Sequence, residues 1–217
     1  MFLSGEHSNS TFNIENTYDL LCKTPSDINE HLPTLYKYAM ECESILELGV
    51  RGCVSSWALL NGLVKNNKPI KHLFLNDITK CDIDTLLSTT KNGIIVDVKY
   101  QWINDLDLNV ESNFDLTFID TWHVYGQLKR ELVKFSEITN KYIILHDTTV
   151  DEIYGETIRC GMNATLQSIE TGIPVDEINC GLGKAVDEFL EKNSEWRLKE
   201  RFTNNNGLTI LVRKSCE

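Results

Sequence analysis

Short apolar runs recur along this chain, and most of them are separated by segments with helical spacing. The runs predict five strands, at Ser44–Leu48, His72–Leu75, Gly93–Val96, Leu116–Ile119 and Tyr142–Leu145. The helical pattern is clearest over Val54–Lys65 and Gln127–Ile138. Strands that alternate with helices form right-handed crossovers. The pattern therefore predicts an α/β fold, with a doubly wound parallel sheet and helices on both of its faces.

The end of the chain has a different pattern. The runs Glu195–Phe202 and Leu208–Val212 are rich in β-forming residues, and they flank Thr203–Gly207, which ends in Asn-Gly. Asn-Gly between two such runs is a strong hairpin signal. We therefore predict that a C-terminal antiparallel hairpin closes the otherwise parallel sheet.

Length and composition limit the classes of protein that fit. The 217 residues suit one well-buried domain over 1–217, with a polar and loose segment at 1–15. The net charge of −11 argues against nucleic acid or an anionic membrane as the main partner. There is no apolar run of about 20 residues and no secretory signal. The seven cysteines form no C-x-x-C pair, so we expect free thiols and a cytoplasmic location.

The first strand leads into a turn with a glycine pattern that is typical of nucleotide-type cofactor sites. The dinucleotide fingerprint is G-x-G-x-x-G, but here Glu47 takes the place of its first glycine, ahead of Gly49 and Gly52. A carboxylate there would repel a pyrophosphate, but it suits S-adenosylmethionine (SAM), which has no phosphate and a cationic centre. The alternative is that the two glycines merely permit a turn.

Each part of this turn has an expected role toward SAM. Backbone N–H groups from Gly49 to Gly52, and those of the following helix, which includes Ser55, can receive the methionine carboxylate. Glu47 can order the turn or meet the ammonium group of SAM through water. Arg51 could reach the carboxylate.

Acids after the next two strands extend the predicted cofactor site. Asp77, 28 residues after Gly49, is placed to accept both ribose hydroxyls, although a solvated cap is the alternative. Asp97 follows the predicted third strand and could face the adenine edge. Trp102 could stack on the adenine ring, although a tryptophan is more often part of a core. The terminal hairpin also favours SAM over a dinucleotide.

Chemistry-bearing residues follow the fourth and fifth predicted strands. Asp120 and His123 come after the fourth, and His146 and Asp147 after the fifth. If these strands are neighbours, the four side chains meet at the mouth of the cofactor cleft. One use is general base catalysis by His123 on an acceptor hydroxyl. The other is a divalent cation held by the two aspartates, for which magnesium fits better than zinc, although the histidines leave the metal open.

Several segments together resemble the class I SAM-dependent methyltransferases of the cephalosporin-hydroxylase-like and rhamnosyl O-methyltransferase group. They are ILELGVRG, FIDTWHVYGQLKREL, YIILHDT, RFTNNNGLTILVRK and the upstream TPSDINEHLPTLYKYA. The resemblance implies a Rossmann-like, seven-stranded, mostly parallel sheet and SAM as the methyl donor. It also implies an acceptor hydroxyl on a sugar, a nucleotide sugar or a glycosylated small molecule.

The resemblance also implies roles for individual residues. In metal-dependent relatives, an acid after strand four and an acidic pair after strand five hold magnesium. Asp120 and Asp147 match two of these positions, and His146 replaces the first acid of the pair. His123 matches the histidine of a D-x-x-H-x-Y block. We therefore predict His123 and Asp120 as catalytic, Asp120 also as cofactor-facing, and Asp120, His146 and Asp147 as metal ligands.

The expected function is thus methyl transfer from SAM to a hydroxyl, with possible help from a divalent metal. We expect residues 149–193 to form a lid over the acceptor, although helix packing or contact within a homo-oligomer is the alternative role. Two other classes stay open. One is an NAD-dependent oxidoreductase on a similar sheet, and the other is a non-catalytic SAM-binding module.

Overall fold

The structure is a computed structural model that describes residues 5–90 and 96–216, with side chains described over 13–90 and 96–215. The strands are β1 (Ser44–Leu48), β2 (His72–Asp77), β3 (Asp97–Trp102), β4 (Phe114–Ile119), β5 (Thr139–His146), β6 (Trp196–Phe202) and β7 (Leu208–Arg213). The helices are α1 (Gly5–Lys23), α2 (Leu32–Ala39), α3 (Val54–Lys65), α4 (Asp84–Thr90), α5 (Tyr125–Ser136), α6 (Glu156–Arg159), α7 (Ala164–Thr171), α8 (Val175–Ile178) and α9 (Leu182–Lys192). Short 3₁₀ turns lie at Asn29–His31 and Lys214–Cys216.

The seven strands form one sheet in the order β3-β2-β1-β4-β5-β7-β6. β1 pairs with β2 in parallel, and β2 pairs with β3 in parallel. β7 is antiparallel to both β5 and β6. The prediction of a seven-stranded, mostly parallel sheet with a C-terminal antiparallel hairpin is confirmed.

The hairpin turn has the backbone that its sequence predicts. Asn205, Asn206 and Gly207 all have positive φ angles, of 45°, 70° and 100°. Asparagine and glycine tolerate this left-handed region better than other residues. The turn thus reverses the chain between β6 and β7.

The chain divides into two compact units, Met1–Thr117 and Phe118–Glu217. In the first unit, the apolar face of α3 and strands β1 and β2 bury leucines such as Leu46, Leu59 and Leu73. In the second unit, Phe118, Phe135 and Ile210 are completely buried. The single domain expected over 1–217 stays a prediction. Over residues 5–90 and 96–216, no helix is both long enough and apolar enough to cross a membrane.

The third strand is not where the apolar run placed it. Positions 93–95 of the predicted strand Gly93–Val96 lie outside the described residues, and Val96 precedes β3. β3 is an edge strand of the sheet, and most of its residues are exposed or half-buried. An edge strand covered on fewer sides does not need a continuous apolar run. The apolar run was therefore the wrong signal for this strand.

Residues 5–15, which the sequence predicts to be loose, belong to α1. Ile14 is completely buried, and Glu15 forms an ion pair of 2.9 Å with Lys65 of α3. Further along α1, the rings of Tyr18 and Tyr36 lie 5.2 Å apart. Tertiary contacts of a few residues therefore hold a helix whose sequence is mostly polar.

Candidate functional site

The turn between β1 and α3 has an unusual backbone. Gly49, Arg51 and Cys53 have φ angles of 88°, 43° and 61°. The N–H of Gly49 donates to the carbonyl of Asn76 at 2.9 Å, which fixes the turn to β2. No side chain caps the start of α3, and a Cβ on Gly52 would meet nothing within 4 Å. The start of α3 thus offers N–H groups and open space to an anionic group such as a carboxylate.

Asp77 braces this turn. Its Oδ2 accepts hydrogen bonds from the backbone N–H groups of Val50 and Arg51, both at 2.9 Å. Its Oδ1 accepts from the N–H and the hydroxyl of Thr79, at 2.8 and 2.9 Å. Burial alone would raise the pKa of Asp77, but the bonds from Arg51, Thr79 and Val50 outweigh it and lower the pKa. Asp77 is therefore an ionised acceptor engaged with the protein itself, and its role toward ribose stays a prediction.

The other predicted residues of the turn have defined partners. Glu47 is completely buried and accepts a short hydrogen bond from the hydroxyl of Ser55. This contact ties β1 to the first turn of α3, as expected if Glu47 orders the turn. Arg51 instead points toward Asp27, whose two oxygens lie 2.7 and 2.8 Å from its guanidinium. Its predicted reach to the SAM carboxylate is not seen in this conformation.

At β3, Asp97 and Trp102 lie at opposite ends of the strand. Asp97 pairs in register with His72 at the start of β2, and its carboxylate lies 3.4 Å from the His72 ring. The prediction that Asp97 follows the third strand is therefore wrong, because Asp97 begins it. Trp102 pairs in register with Asp77, is 56% exposed, and is not part of a core. The acid after β3 is the buried Asp105, which accepts a 2.6 Å hydrogen bond from Asn76.

The second unit gathers all four residues predicted after strands β4 and β5. His123 Nε2 lies 3.2 Å from Asp120 Oδ1 and 3.1 Å from Asp147 Oδ2. His146 Nδ1 lies 3.3 Å from each of the same two oxygens. His146 is the last residue of β5, and Asp147 follows it with a φ of 56°. The predicted convergence of the four side chains is therefore present.

Asp151 also belongs to this cluster, and the sequence interpretation missed it. It is completely buried, and its Oδ2 lies 3.3 Å from His123 Nδ1. Its N–H donates to the carbonyl of Asp147, four residues earlier, at 3.1 Å. Arg159 holds its carboxylate through Nε and a terminal nitrogen, at 2.7 and 2.8 Å. An acid four residues after Asp147 was the available signal, because a single turn brings the two together.

The electrostatics of the cluster follow from its burial and its charges. Burial alone would lower the pKa of both histidines, but contacts with carboxylates outweigh it. The pKa of His123 is well above its ordinary value because of Asp120, Asp151 and Asp147. The pKa of His146 rises to about 10 because of Asp120 and Asp147. Both rings are therefore imidazolium at neutral pH in this state of the protein.

The aspartates shift in the opposite direction. Burial alone would raise the pKa of Asp120, but its contacts with the two histidines lower it instead. His123 and Arg159 likewise lower the pKa of Asp151 against the effect of burial. Protons on the two histidines thus balance the negative charge of the buried carboxylates. A metal cation can also balance this charge.

Next to Asp151 lies an open hollow of about 350 Å³, at the start of the predicted lid. Its lining combines apolar, aromatic and charged side chains: Thr149, Val150, Glu152, Ile153, Tyr154, Ile158 and Arg159. Tyr154 is 65% exposed. This volume is within the range of small-molecule sites.

Comparisons with known proteins identify the fold. No family model matches the chain, and no curated protein matches it. Solved structures, in contrast, do match the chain. An O-methyltransferase from Bacillus cereus in complex with S-adenosylhomocysteine (SAH) aligns with a TM-score of 0.58 at 13% identity, over 95% of this chain and 91% of that one. The fold is that of SAM-dependent methyltransferases.

Two further solved structures agree with this assignment. The O-methyltransferase TomG of Streptomyces achromogenes, involved in tomaymycin synthesis and in complex with SAM, has a TM-score of 0.54 at 16% identity, over 97% of this chain and 90% of that one. The SAH-bound methyltransferase PaMTH1 of Podospora anserina has a TM-score of 0.56 at 14% identity, over 93% and 87%. Identities this low extend the likeness to the fold alone.

Proposed function

We propose that this protein is a SAM-dependent O-methyltransferase whose acceptor is a hydroxyl of a sugar, a nucleotide sugar or a glycosylated small molecule. The observation that carries the proposal is the convergence of Asp120, His123, His146 and Asp147 in a chain with a methyltransferase fold. A protein that only binds SAM has no need of buried acids and imidazoles gathered in this way.

The first unit supplies the donor side of the proposal. The uncapped start of α3 and the open space at Gly52 suit the methionine carboxylate. Trp102 is exposed and in register with Asp77, so its ring is accessible for stacking on adenine. Solved methyltransferases of the same fold carry SAM or SAH, which supports the same donor here.

The acceptor side is assigned to the hollow beside Asp151. Glu152 and Arg159 offer charged hydrogen-bonding groups, and Tyr154 offers an aromatic face. Sugars present hydroxyls at the ring edge and C–H groups on the ring faces, so this mixture of groups suits them. We retain the interpretation of residues 149–193 as the acceptor lid.

The cluster offers two ways to activate the acceptor hydroxyl. General base catalysis by His123 needs a neutral ring. The raised pKa of His123 keeps its ring protonated as long as no other cation balances the carboxylates of Asp120, Asp147 and Asp151. The second way is a divalent cation, expected from the sequence to be magnesium, held by Asp120, His146 and Asp147. A cation bound there would coordinate the acceptor oxygen and make its proton more acidic. The second way therefore agrees better with the electrostatics.

The transfer itself is a direct displacement. The acceptor oxygen forms a bond to the methyl carbon while the carbon–sulfur bond of SAM breaks, and the products are the methyl ether, SAH and a proton. Sulfonium charge is neutralised along the path. Alignment of donor and acceptor would supply much of the rate gain.

We also infer a cytoplasmic location. Cys22, Cys42, Cys53, Cys81, Cys160 and Cys180 are free thiols. Free thiols are typical of proteins kept in reducing compartments. Whether the chain forms a homo-oligomer stays a prediction.

A methyl-transfer assay tests the proposal. The chain is incubated with methyl-labelled SAM and a panel of nucleotide sugars and glycosylated small molecules, with and without a chelator. We expect label in at least one acceptor hydroxyl, and a loss of activity on chelation that added metal restores. A thermal shift with SAM or SAH but not with NAD separates this function from the oxidoreductase. Binding of SAM without transfer to any acceptor would instead support the non-catalytic module.

A further inference from the structure

The two histidines of the cluster face the same pair of carboxylate oxygens. Four distances, from His123 Nε2 and His146 Nδ1 to Asp120 Oδ1 and Asp147 Oδ2, lie between 3.1 and 3.3 Å. Ligand atoms placed tetrahedrally at 2.0 to 2.1 Å from one ion are about 3.3 to 3.4 Å apart. Each of these four nitrogen–oxygen separations is therefore close to the spacing of two ligands on one small cation, and the donor atoms of Asp120, His146 and Asp147 all lie within 4.8 Å of one another, as do those of His123, Asp147 and Asp151.

The far nitrogen of each ring faces an acceptor. His146 Nε2 lies 3.3 Å from the carbonyl oxygen of Asn205, which can only accept a hydrogen bond. His123 Nδ1 lies 3.3 Å from Asp151 Oδ2, whose carboxylate is bound by Arg159. His146 Nε2 must then carry the hydrogen when its ring is neutral, which leaves the lone pair on Nδ1, facing Asp120 and Asp147. The contact of His123 Nδ1 with Asp151 lacks hydrogen-bond geometry, so this buried nitrogen has no hydrogen-bond partner among the described residues.

The His146 ring is held in the way that metal-binding histidines are held. Such a histidine almost always donates its second N–H to a carboxylate or a backbone carbonyl, which fixes the tautomer and the ring orientation. One buried oxygen, Asp147 Oδ1, also has no hydrogen-bond partner among the described residues. A cluster built only as a network of ion pairs would need neither the fixed His146 ring nor these buried atoms without hydrogen bonds.

We propose that His123, His146, Asp120 and Asp147 form a two-histidine, two-carboxylate site for a first-row transition ion of the Zn²⁺ or Co²⁺ type, with Asp151 and Arg159 as its outer support. The proposal rests on the proposed function and deepens it, because it makes His123 a ligand rather than a base. Imidazole nitrogen suits zinc, copper, iron and nickel, whereas magnesium prefers oxygen ligands. Two nitrogen donors therefore favour a transition ion over the magnesium expected from the sequence.

Cobalt titration of the metal-stripped chain tests this site without any enzymatic readout. We expect one Co²⁺ per chain, visible absorption bands of cobalt bound by nitrogen and oxygen, displacement of the cobalt by one equivalent of Zn²⁺, and no displacement by a hundredfold excess of Mg²⁺. Absence of a stoichiometric cobalt site, or equal binding of Mg²⁺, would overturn the proposal.

Variants identify the ligands. His123→Gln and His146→Gln should each change the cobalt spectrum and weaken binding more than Asp151→Asn does, which should cost roughly 10- to 100-fold as the loss of an outer partner. His72→Gln is the control, because His72 is exposed and pairs with Asp97 in the other unit. Circular dichroism and thermal melting establish that each variant is folded. A folded His123→Gln variant with the spectrum and affinity of the parent would remove His123 from the ligand set.

The outcome is separable from that of the methyl-transfer assay. A stoichiometric cobalt site in a chain that transfers no methyl group would refute the proposed function and leave the metal site standing. Methyl transfer by a chain with no transition-ion site would refute the metal site and leave the proposed function standing. Either proposal can therefore fail while the other stands.

Discussion

Arg159 holds the buried carboxylate of Asp151 through two hydrogen bonds, from Nε at 2.7 Å and from a terminal nitrogen at 2.8 Å. Two parallel bonds of this kind fix the carboxylate plane as well as its charge. The same carboxylate faces His123 Nδ1. A half-exposed arginine at the end of α6 thereby holds in place the carboxylate beside the His123 ring.

Replacing Arg159 should therefore disturb both stability and metal binding. We expect Arg159→Ala to cost about 2 kcal/mol or less of the free energy of unfolding. The arginine side chain is 40% exposed, so water replaces part of the interaction. Urea denaturation measures this change, and cobalt titration measures the accompanying loss of affinity.

Lys192→Ala is the matched control for Arg159→Ala. Lys192 lies in an exposed i,i+4 pair with Glu188, away from the buried carboxylates. Its loss should change stability by a few tenths of a kcal/mol and leave cobalt binding unchanged. Equal effects of the two substitutions would mean that Asp151 does not depend on Arg159.

Stability of the metal-free chain should decrease as the pH rises above about 6.5. The pKa of His146 is about 10 in the folded chain against 6.5 when unperturbed, and the pKa of His123 is also raised. A raised pKa means that the folded state binds more protons, so its stabilising effect is complete below pH 6.5 and is lost toward pH 10. Each histidine contributes at most about 1.4 kcal/mol per pH unit.

Urea midpoints between pH 6.5 and 8.5, in the presence of a chelator, measure this dependence. Above about pH 8.5 the buried thiol of Cys53, whose pKa burial raises to about 12, contributes a slope of the same sign. The lower window therefore isolates the histidines. His146→Gln should flatten the slope there, and a parent protein with no slope would show that the rings are not held protonated.

The sequence predicted much of this architecture because its strongest signals are local. The apolar run before Gly49 and the Asn-Gly before Leu208 each determine a backbone conformation by themselves. The sequence also placed four residues of the cluster correctly, since parallel strands deliver their following residues to one edge. The position of β3 was not predicted, because an edge strand has little apolar signal. For the same reason Asp97 was predicted to follow the strand, although it is the first residue of β3.

Asp151 and α1 could not be found in the same way. The position of Asp151 depends on a turn that begins with Asp147 at positive φ, and an aspartate adopts that conformation uncommonly, although more often than most residues. α1 depends on tertiary contacts of Ile14 and Glu15, which a mostly polar sequence does not reveal. α1 is thus a product of packing, whereas Asp151 has one local signal, its spacing of four residues from Asp147.

Gly207 should be intolerant of substitution. Its φ is 100°, and an added Cβ would clash with Thr149 Oγ1 and lie 2.5 Å from the Thr149 nitrogen. Gly207→Ala should therefore cost more than about 2 kcal/mol, from backbone strain and from the clash. It should also displace the turn after Asp147, because the N–H groups of Thr149 and Val150 donate to the carbonyl of Asn206.

Gly172→Ala separates strain from clash in this prediction. Gly172 has a φ of 73°, but a Cβ there would meet nothing within 4 Å. We expect it to cost about 1 kcal/mol, the cost of the left-handed conformation alone. Thermal melting of the two variants makes the comparison, and a cost at Gly207 no larger than that at Gly172 would contradict the close approach to Thr149.

Asp77 should contribute more to SAM binding by the turn between β1 and α3 than any other side chain near that turn. Asp77→Asn keeps the size of the side chain but replaces one acceptor oxygen with an NH₂ group, which cannot accept from the N–H groups of Val50 and Arg51 or from Thr79. Bonds to a charged acceptor contribute about 1.5 to 3 kcal/mol each, so the turn should loosen and SAM affinity should fall at least tenfold.

Thr79→Val is the control for Asp77→Asn. It removes only the hydroxyl bond to Oδ1 and should weaken SAM binding by less than threefold. Calorimetry with SAH measures both variants. Unchanged SAH affinity in a folded Asp77→Asn variant would show that the turn does not need its brace.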